Sequence, residues 1–100
     1  MDQEKIIAIV KEFAKLVKQN FSVEQIYLFG SHANGNALEE SDIDVAVILK
    51  QIGQNYLAQN TKLFQLRRSV DLRIEPVLIE SSNDVSGFLS EIKATGIQIY

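Results

Sequence analysis

Two aspartates separated by one residue, Asp42 and Asp44, directly precede the apolar run 45–49. In a strand, alternate side chains share a face, so both carboxylates are expected to point the same way, roughly 6.6 Å apart along the backbone. Like charges about 5–6 Å apart repel by about 3 kcal/mol at an effective dielectric near ~20. A divalent cation between them removes this repulsion, and Mg²⁺ suits such hard oxygen ligands. The pair therefore predicts a magnesium site.

A Gly-Ser pair ends the preceding apolar run, 26–29, and is predicted to open a short helix that Gly35 stops. A helix N-terminus favours anions, so the backbone N–H groups after the pair are candidates for binding phosphate. Gly30 lets the backbone approach a phosphate closely. Ser31 either caps the helix or also donates its hydroxyl to a β- or γ-phosphate. One short segment thus predicts both a metal site and a phosphate site.

The composition bounds the class of protein. With 100 residues and 46% hydrophobic content, the chain is expected to form one domain, residues 1–100, around a single core. A formal charge of −3 argues against a domain that binds nucleic acid by itself, and the absence of cysteine excludes disulfides and zinc–thiolate sites. The acidic N-terminus is unlike a signal peptide, and no apolar run is long enough to span a membrane. A cytoplasmic location is expected.

Hydrophobic periodicity predicts the elements that must position the acids. Apolar spacings of three and four predict amphipathic helices over residues 3–19, 54–68 and 84–93. Alternation over 70–79 predicts a third strand, which Pro76 places at a sheet edge or interrupts. The expected fold class is α+β, a small mixed β-sheet flanked by helices.

The same patterns predict which side chains are buried. The predicted core positions are Leu57, Leu63 and Phe64 of the second long helix, Val70, Leu72 and Ile74 of the third strand, and Phe88, Leu89 and Ile92 of the last helix. The opposite face of the third strand is predicted to carry Asp71, Arg73 and Glu75.

Gly-Ser, ten residues and Asp-x-Asp form a pattern that resembles the signature of the DNA polymerase β-type nucleotidyltransferases. Among them the chain looks most like the minimal nucleotidyltransferase (MNT) domains encoded beside a HEPN-domain partner. Residues 27–48 carry the first match. Residues 69–76 carry a second, which resembles the later strand that bears the family's third carboxylate. The resemblance implies the polymerase β-type nucleotidyltransferase fold over nearly the whole chain.

The resemblance also implies an activity and the residues that perform it. NMP, expected to be AMP from ATP, would pass to an acceptor hydroxyl with the help of two Mg²⁺ ions. Asp42, Asp44 and Asp71 would be catalytic and would bind the metal, and Asp71 would also accept the proton of the attacking hydroxyl. Gly30 and Ser31 would hold the nucleotide.

The implied acceptor is a tyrosine of a HEPN toxin, which makes this chain the antitoxin of a toxin–antitoxin pair, as a homodimer or in a hetero-oligomer with its partner. His32 and Asn34 stand where many relatives carry basic residues, and His32 is expected to face phosphate or to lie on the surface. Weak activity therefore stays open, as does a degenerate domain that neutralises or scaffolds its partner by binding alone. A third alternative is a small-molecule (antibiotic) adenylyltransferase. Glu75 is the weaker candidate for a third carboxylate, and Arg73 could pair with Glu75 or with Asp71.

Overall fold

One four-stranded sheet carries the fold in the computed structural model, which describes residues 2–84 and 86–100. Its strands are β1 (Gln25–Phe29), β2 (Ile43–Leu49), β3 (Ile74–Glu80) and β4 (Ile97–Gln98). They lie in the order β3-β2-β1-β4. Strand β1 is antiparallel to both β2 and β4, whereas β2 and β3 are parallel. The predicted α+β class with a mixed sheet is confirmed.

Four α-helices flank the sheet among the described residues. They are α1 (Gln3–Asn20), α2 (Ser31–Asn34), α3 (Tyr56–Leu66), which a 3₁₀ turn (Arg67–Ser69) extends, and α4 (Phe88–Thr95). Helix α1 matches the predicted helix over 3–19, and its buried residues recur at the expected spacing: Ile6, Val10, Phe13, Ala14 and Val17. Residues 2–84 and 86–100 include no helix with the length and apolar character needed to cross a bilayer.

The two faces of the sheet have different coverings. From β2, Ile43, Val45 and Val47 join the larger core with α1 and with Leu63 of α3. Because side chains alternate along a strand, Asp44 points to the opposite face. On that face the short helix α4 covers the middle of the sheet in a second, smaller cluster of Tyr27, Ala46, Ile48, Leu89 and Ile92. We call this side the α4 face, and the site described below lies at its end.

The predicted third strand begins later than expected. Residues 70–73 do not belong to β3, which starts at Ile74, so the alternation predicted for 70–73 is wrong. The N–H groups of Val70 and Asp71 both bond to the carbonyl of Arg67, which turns the chain before the strand begins. A local bond from the Arg73 N–H to the Asp71 carboxylate, 2.8 Å long, competes further with strand pairing. Leu72 is consequently 68% exposed rather than buried.

Two other predicted core residues are exposed, and one predicted edge is confirmed. Leu57 is 76% exposed because α3 starts only at Tyr56, which leaves the first turn outside the core. Phe88, the first residue of α4, is 41% exposed. Strand β3 is an edge strand, as Pro76 predicted.

The last helix starts at Phe88, later than the predicted 84–93, but the side chain of Asp84 still bonds to its first turn. The carboxylate of Asp84 accepts hydrogen bonds from the N–H groups of Leu89 and Ser90, 3.0 and 3.2 Å long. These bonds satisfy donors in the first turn of α4.

Candidate active site

The end of β1 and the start of β2 meet on the α4 face. The antiparallel register places Phe29 directly opposite Asp44. Asp44 is half-buried as the second residue of β2, and Asp42 is exposed just before the strand. The chain leaves β1 at Gly30, so the predicted turn lies beside the predicted acids.

Gly30 is in direct van der Waals reach of Asp44. A Cβ added at Gly30 would collide with the Asp44 Oδ2 atom and lie 3.2 Å from its Cγ. The residue also has φ +75° and ψ −153°, a conformation that side chains with a Cβ rarely adopt. Glycine is therefore required here twice, once by the backbone and once by the carboxylate packed against it.

Helix α2 is a single turn, which Gly35 ends in the left-handed conformation as predicted. The carbonyl of Gly30 accepts the N–H groups of Ala33 and Asn34, both at 3.1 Å. Those two donors are used within the turn. A phosphate at this position would therefore be bound by the backbone N–H groups of Ser31 and His32, which precede them.

His32 is buried, so the expectation that it lies on the surface is wrong, whereas a phosphate-facing position stays a prediction. It is only 4% exposed, and its Nε2 lies 3.1 Å from the carbonyl oxygen of Ser41. Since a carbonyl only accepts, this contact requires a proton on Nε2. The imidazole thereby fixes the loop immediately before Asp42. A lone histidine gave no signal for this role, because its partner is a backbone carbonyl.

Asp71 is bound on both oxygens by Arg73. Its Oδ1 accepts the Arg73 backbone N–H at 2.8 Å and the Nε–H at 3.1 Å, and its Oδ2 accepts the second guanidinium nitrogen at 2.7 Å. Arg73 also donates to the carbonyl of Glu39, 3.0 Å away. The pair ties the turn before β3 to the loop before β2. These bonds with Arg73 lower the pKa of Asp71, although partial burial opposes them.

Glu75, not Asp71, is the acid that the sheet places beside Asp44. The parallel register sets Asp44 directly opposite Glu75, so both side chains point to the α4 face. The pKa of Asp44 is raised, first by burial and then by the negative charges of Asp42 and Glu75, while His32 acts in the opposite direction. The structure thus brings Asp42, Asp44 and Glu75 into one electrostatic group, and it places Asp71 outside β3.

The donor set suits a cation that completes its coordination with other ligands. Within residues 2–84 and 86–100, no three or more His, Cys, Asp or Glu side chains are placed to hold a metal ion by themselves. Mg²⁺ is commonly bound by one or two carboxylates together with water and substrate phosphates. Asp42 and Asp44, with a phosphate at the adjacent turn, fit that description.

The Asp71–Arg73 pair predicts a pH-dependent contribution to stability. We expect Asp71→Asn to lower the free energy of unfolding by about 1 kcal/mol at neutral pH, because it removes a charge-assisted pair that is partly exposed. The folded-state pKa of Asp71 lies below the unfolded value. The contribution is therefore full above the ordinary aspartate pKa and disappears as the pH falls through the lowered one.

Urea unfolding of both proteins across this pH range measures the effect. Glu40→Gln, a change at an exposed acid in the loop before β2, serves as the control. A difference between wild type and Asp71→Asn that persists unchanged in acid would contradict the assignment.

The fold and the site define a class of protein. A mixed α+β domain sets a Gly-Ser turn against the acids at the start of the adjacent strand, which is the arrangement of a nucleotidyltransferase. Residues 11–100 match the family described as "Polymerase beta, Nucleotidyltransferase", and the chain belongs to that family.

Known proteins that the chain resembles carry related names. It is 31% identical over 100 residues to a proposed protein adenylyltransferase of Methanocaldococcus jannaschii (MJ0141), with 94% of this chain and 98% of the relative covered. It is 37% identical over 49 residues to the protein adenylyltransferase MntA of Thermococcus cleftensis, with 49% and 50% covered. A chain in a crystal structure of a toxin–antitoxin with AMP-PNP matches with a TM-score of 0.68 and 29% identity, covering 92% of this chain and 72% of that one. The resemblance inferred from the sequence motifs is confirmed.

Proposed function

We propose that this chain is the antitoxin of a toxin–antitoxin pair and transfers AMP from ATP to a tyrosine hydroxyl of a HEPN-domain toxin. The observation that supports the proposal is the close packing of the Gly30 turn against Asp44, since the turn is the proposed phosphate site and the carboxylate is a proposed metal ligand. The relatives named as protein adenylyltransferases support a protein acceptor, and the toxin–antitoxin structure supports a toxin as the partner. The HEPN domain and the tyrosine follow from the family resemblance alone.

Asp42 and Asp44 are the residues that would hold the metal, proposed as two Mg²⁺ ions. Their oxygens have the hard-donor chemistry that this cation prefers, and the missing Cβ at Gly30 leaves room for the Asp44 carboxylate beside the turn. When bound, Mg²⁺ supplies the charge neutralisation that phosphoryl-type transfer needs. The protein's own task is then to position the reactants.

Ser31 and the turn would hold the triphosphate. The N–H groups of Ser31 and His32 and the Ser31 hydroxyl are donors at the end of β1, beside Asp44. The His32 imidazole is engaged with Ser41 and the side chain at position 34 is an uncharged amide, so neither adds a fixed cation. Activity should consequently depend strictly on the metal for positive charge.

Two acids compete for the role of proton acceptor. The sequence motif predicts Asp71, and this stays a prediction. The bonds of Asp71 with Arg73 and the register of Glu75 beside Asp44 favour Glu75 instead. In either case the acid would take the proton of the tyrosine hydroxyl as its oxygen attacks the α-phosphorus and pyrophosphate leaves.

Conservative variants separate the two acids. If Glu75 accepts the proton, Glu75→Gln should lower kcat by about 10²-fold or more with little change in the KM for ATP. Asp71→Asn should then retain most of its activity after correction for stability. Steady-state kinetics of both variants with the same acceptor gives the answer, and the reverse order of effects would return the role to Asp71.

Differently labelled ATP tests the reaction class. The chain, a HEPN-domain partner and Mg²⁺ are incubated with ATP labelled at either the α- or the γ-phosphate. Nucleotidyl transfer puts the α-label on the partner and leaves the γ-label in pyrophosphate. Label from the γ-position on the partner would instead identify a kinase and exclude the proposal.

Positions 32 and 34 carry no fixed positive charge, and this favours a second candidate function, neutralisation of the partner by binding alone. Under that reading Asp42→Asn protects cells from the toxin as well as wild type does. Under the transfer mechanism the same variant fails to protect, although it still binds the partner. The small-molecule alternative predicts pyrophosphate release with an aminoglycoside and no protein partner present.

A further inference from the structure

A small cavity opens next to the Gly30 turn on the α4 face. It has a volume of about 170 Å³, and its walls include Phe29, Gly30, Asn34, Phe88, Glu91 and Thr95. It lies between the end of β1 and helix α4. Nothing in the mechanism above uses it.

The position of the cavity relative to the acids is set by the sheet. Phe29, one wall, is the cross-strand partner of Asp44, and directly opposite residues have Cβ atoms about 4.5–5.5 Å apart. Gly30, another wall, is the residue at which the phosphate turn begins. If the phosphates of a nucleotide bind at the turn, its sugar and base can therefore reach this cavity.

The residues that line the cavity are suited to binding a flat heteroaromatic ring. The rings of Phe29 and Phe88 meet edge to face, with centroids 5.8 Å apart and planes at 85°. Phe88 is 41% exposed at the rim of the cavity, so part of its ring surface is open to a ligand. Bases stack on such aromatic faces, and each stack contributes about 1–3 kcal/mol. The buried side chain of Ile92 adds a further apolar surface.

Polar groups at the rim of the cavity can form hydrogen bonds with the edge of a bound ring. The Thr95 hydroxyl is used within α4, where it donates to the carbonyl of Glu91 at 2.9 Å. Asn34 and Glu91 both line the cavity with exposed side chains. An asparagine amide can both donate to and accept from the edge of adenine, and a carboxylate accepts from an exocyclic amine. This rim suits a base with an amino group.

We propose that the cavity between Phe29 and Phe88 is the nucleobase subsite of the nucleotide site, with Phe88 as its stacking platform. The proposal rests on the proposed function, because it assumes that the Gly30 turn holds the phosphates. Helix α4 then has a second role besides covering the sheet. The carboxylate of Asp84 bonds to the N–H groups of Leu89 and Ser90, the two residues that follow Phe88 in α4.

Calorimetric titration with two ligands tests the subsite separately from the phosphate site. AMP-PNP carries both base and phosphates, whereas inorganic tripolyphosphate carries phosphates alone, and both are titrated in the presence of Mg²⁺. Phe88→Ala should weaken AMP-PNP binding about tenfold and leave tripolyphosphate binding unchanged. Phe88→Tyr should bind both ligands as wild type does, because it keeps the aromatic face.

Leu57→Ala, which removes an exposed apolar side chain of α3, is the matched control. Far-UV circular dichroism and thermal unfolding establish that each variant is folded. An equal loss for both ligands in Phe88→Ala, or no loss for either, overturns the subsite and leaves the proposed function standing. Failure of wild type to bind either ligand overturns the proposed function itself, and the subsite with it.

Discussion

Asp44→Asn is expected to reduce AMP transfer by about 10³-fold or more while leaving the protein at least as stable as wild type. The Asp44 carboxylate lies against the Gly30 turn and is a proposed metal ligand, and loss of one preorganised electrostatic group in an active site commonly costs about 10²–10³-fold. Loss of a metal ligand acts on the same step.

The expected stability follows from the raised pKa of Asp44. Burial and the neighbouring charges of Asp42 and Glu75 disfavour its ionised form in the folded protein. At neutral pH and without metal, a neutral amide at this position removes that penalty. Asp44→Asn should therefore lower AMP transfer without lowering the free energy of unfolding, as expected for an acid that serves catalysis and not stability.

Transfer of α-labelled AMP and urea unfolding in EDTA measure the two effects. Asp2→Asn provides the control, since Asp2 accepts a hydrogen bond at the start of α1 and has no part in the site. Full transfer activity in Asp44→Asn would contradict the mechanism. A large loss of stability would show that the acid is structural.

Gly30→Ala is expected to impair activity and stability together. The new Cβ would collide with the Asp44 carboxylate in a backbone conformation with φ +75°. This backbone conformation, which is almost restricted to glycine, alone costs about 1–3 kcal/mol for alanine, and a displacement of about 1 Å in a catalytic group can cost about 10²-fold in rate. We expect both losses because the turn and the acid cannot keep their contact.

Gly35→Ala is a closely matched control for this variant. Gly35 has φ +77°, and a Cβ there would meet nothing within 4 Å, so only the backbone penalty applies. The excess loss in Gly30→Ala over Gly35→Ala contains the collision and a larger backbone penalty, since ψ is −153° at Gly30 and 11° at Gly35. In the Asp44→Ala background the part of the excess that comes from the collision should disappear, because the colliding carboxylate is gone. Equal losses of activity and stability in the two glycine variants would mean that the packing of Gly30 against Asp44 contributes to neither.

Local patterns were sufficient to predict much of this fold. The apolar run 26–29 lies within β1, and the glycine at position 35 ends α2 as expected. These elements depend on contrasts between neighbouring residues, such as an apolar run followed by Gly-Ser. The proximity of the turn to the acid pair followed from the same short stretch, since both come from consecutive elements.

The third strand and its acids depend on interactions that periodicity does not report. Alternation continues through residues 70–73, yet the bonds of Val70 and Asp71 to Arg67, and of Arg73 to Asp71, turn the chain there. The start of β3 then determines the register, which sets Glu75 beside Asp44. A shift of the strand start by a few residues is enough to change which carboxylate lies next to Asp44, the proposed metal ligand.

The role of His32 shows a second limit of the same kind. Its partner is a backbone carbonyl, which has no signature in the amino-acid types, so the sequence offered only a surface or phosphate-facing position. The structure instead makes it a support for the loop that carries Asp42. Contacts of side chains with distant backbone atoms were the part of the site that could not be predicted.

A crystal structure of the protein with Mn²⁺ and AMP-PNP tests most directly the claim that one turn and two acids form a metal–nucleotide site. An anomalous difference map should show metal about 2 Å from carboxylate oxygens of Asp42 and Asp44, with the triphosphate on the backbone of Gly30 and Ser31. A nucleotide bound elsewhere, or metal with no contact to either aspartate, would contradict the account.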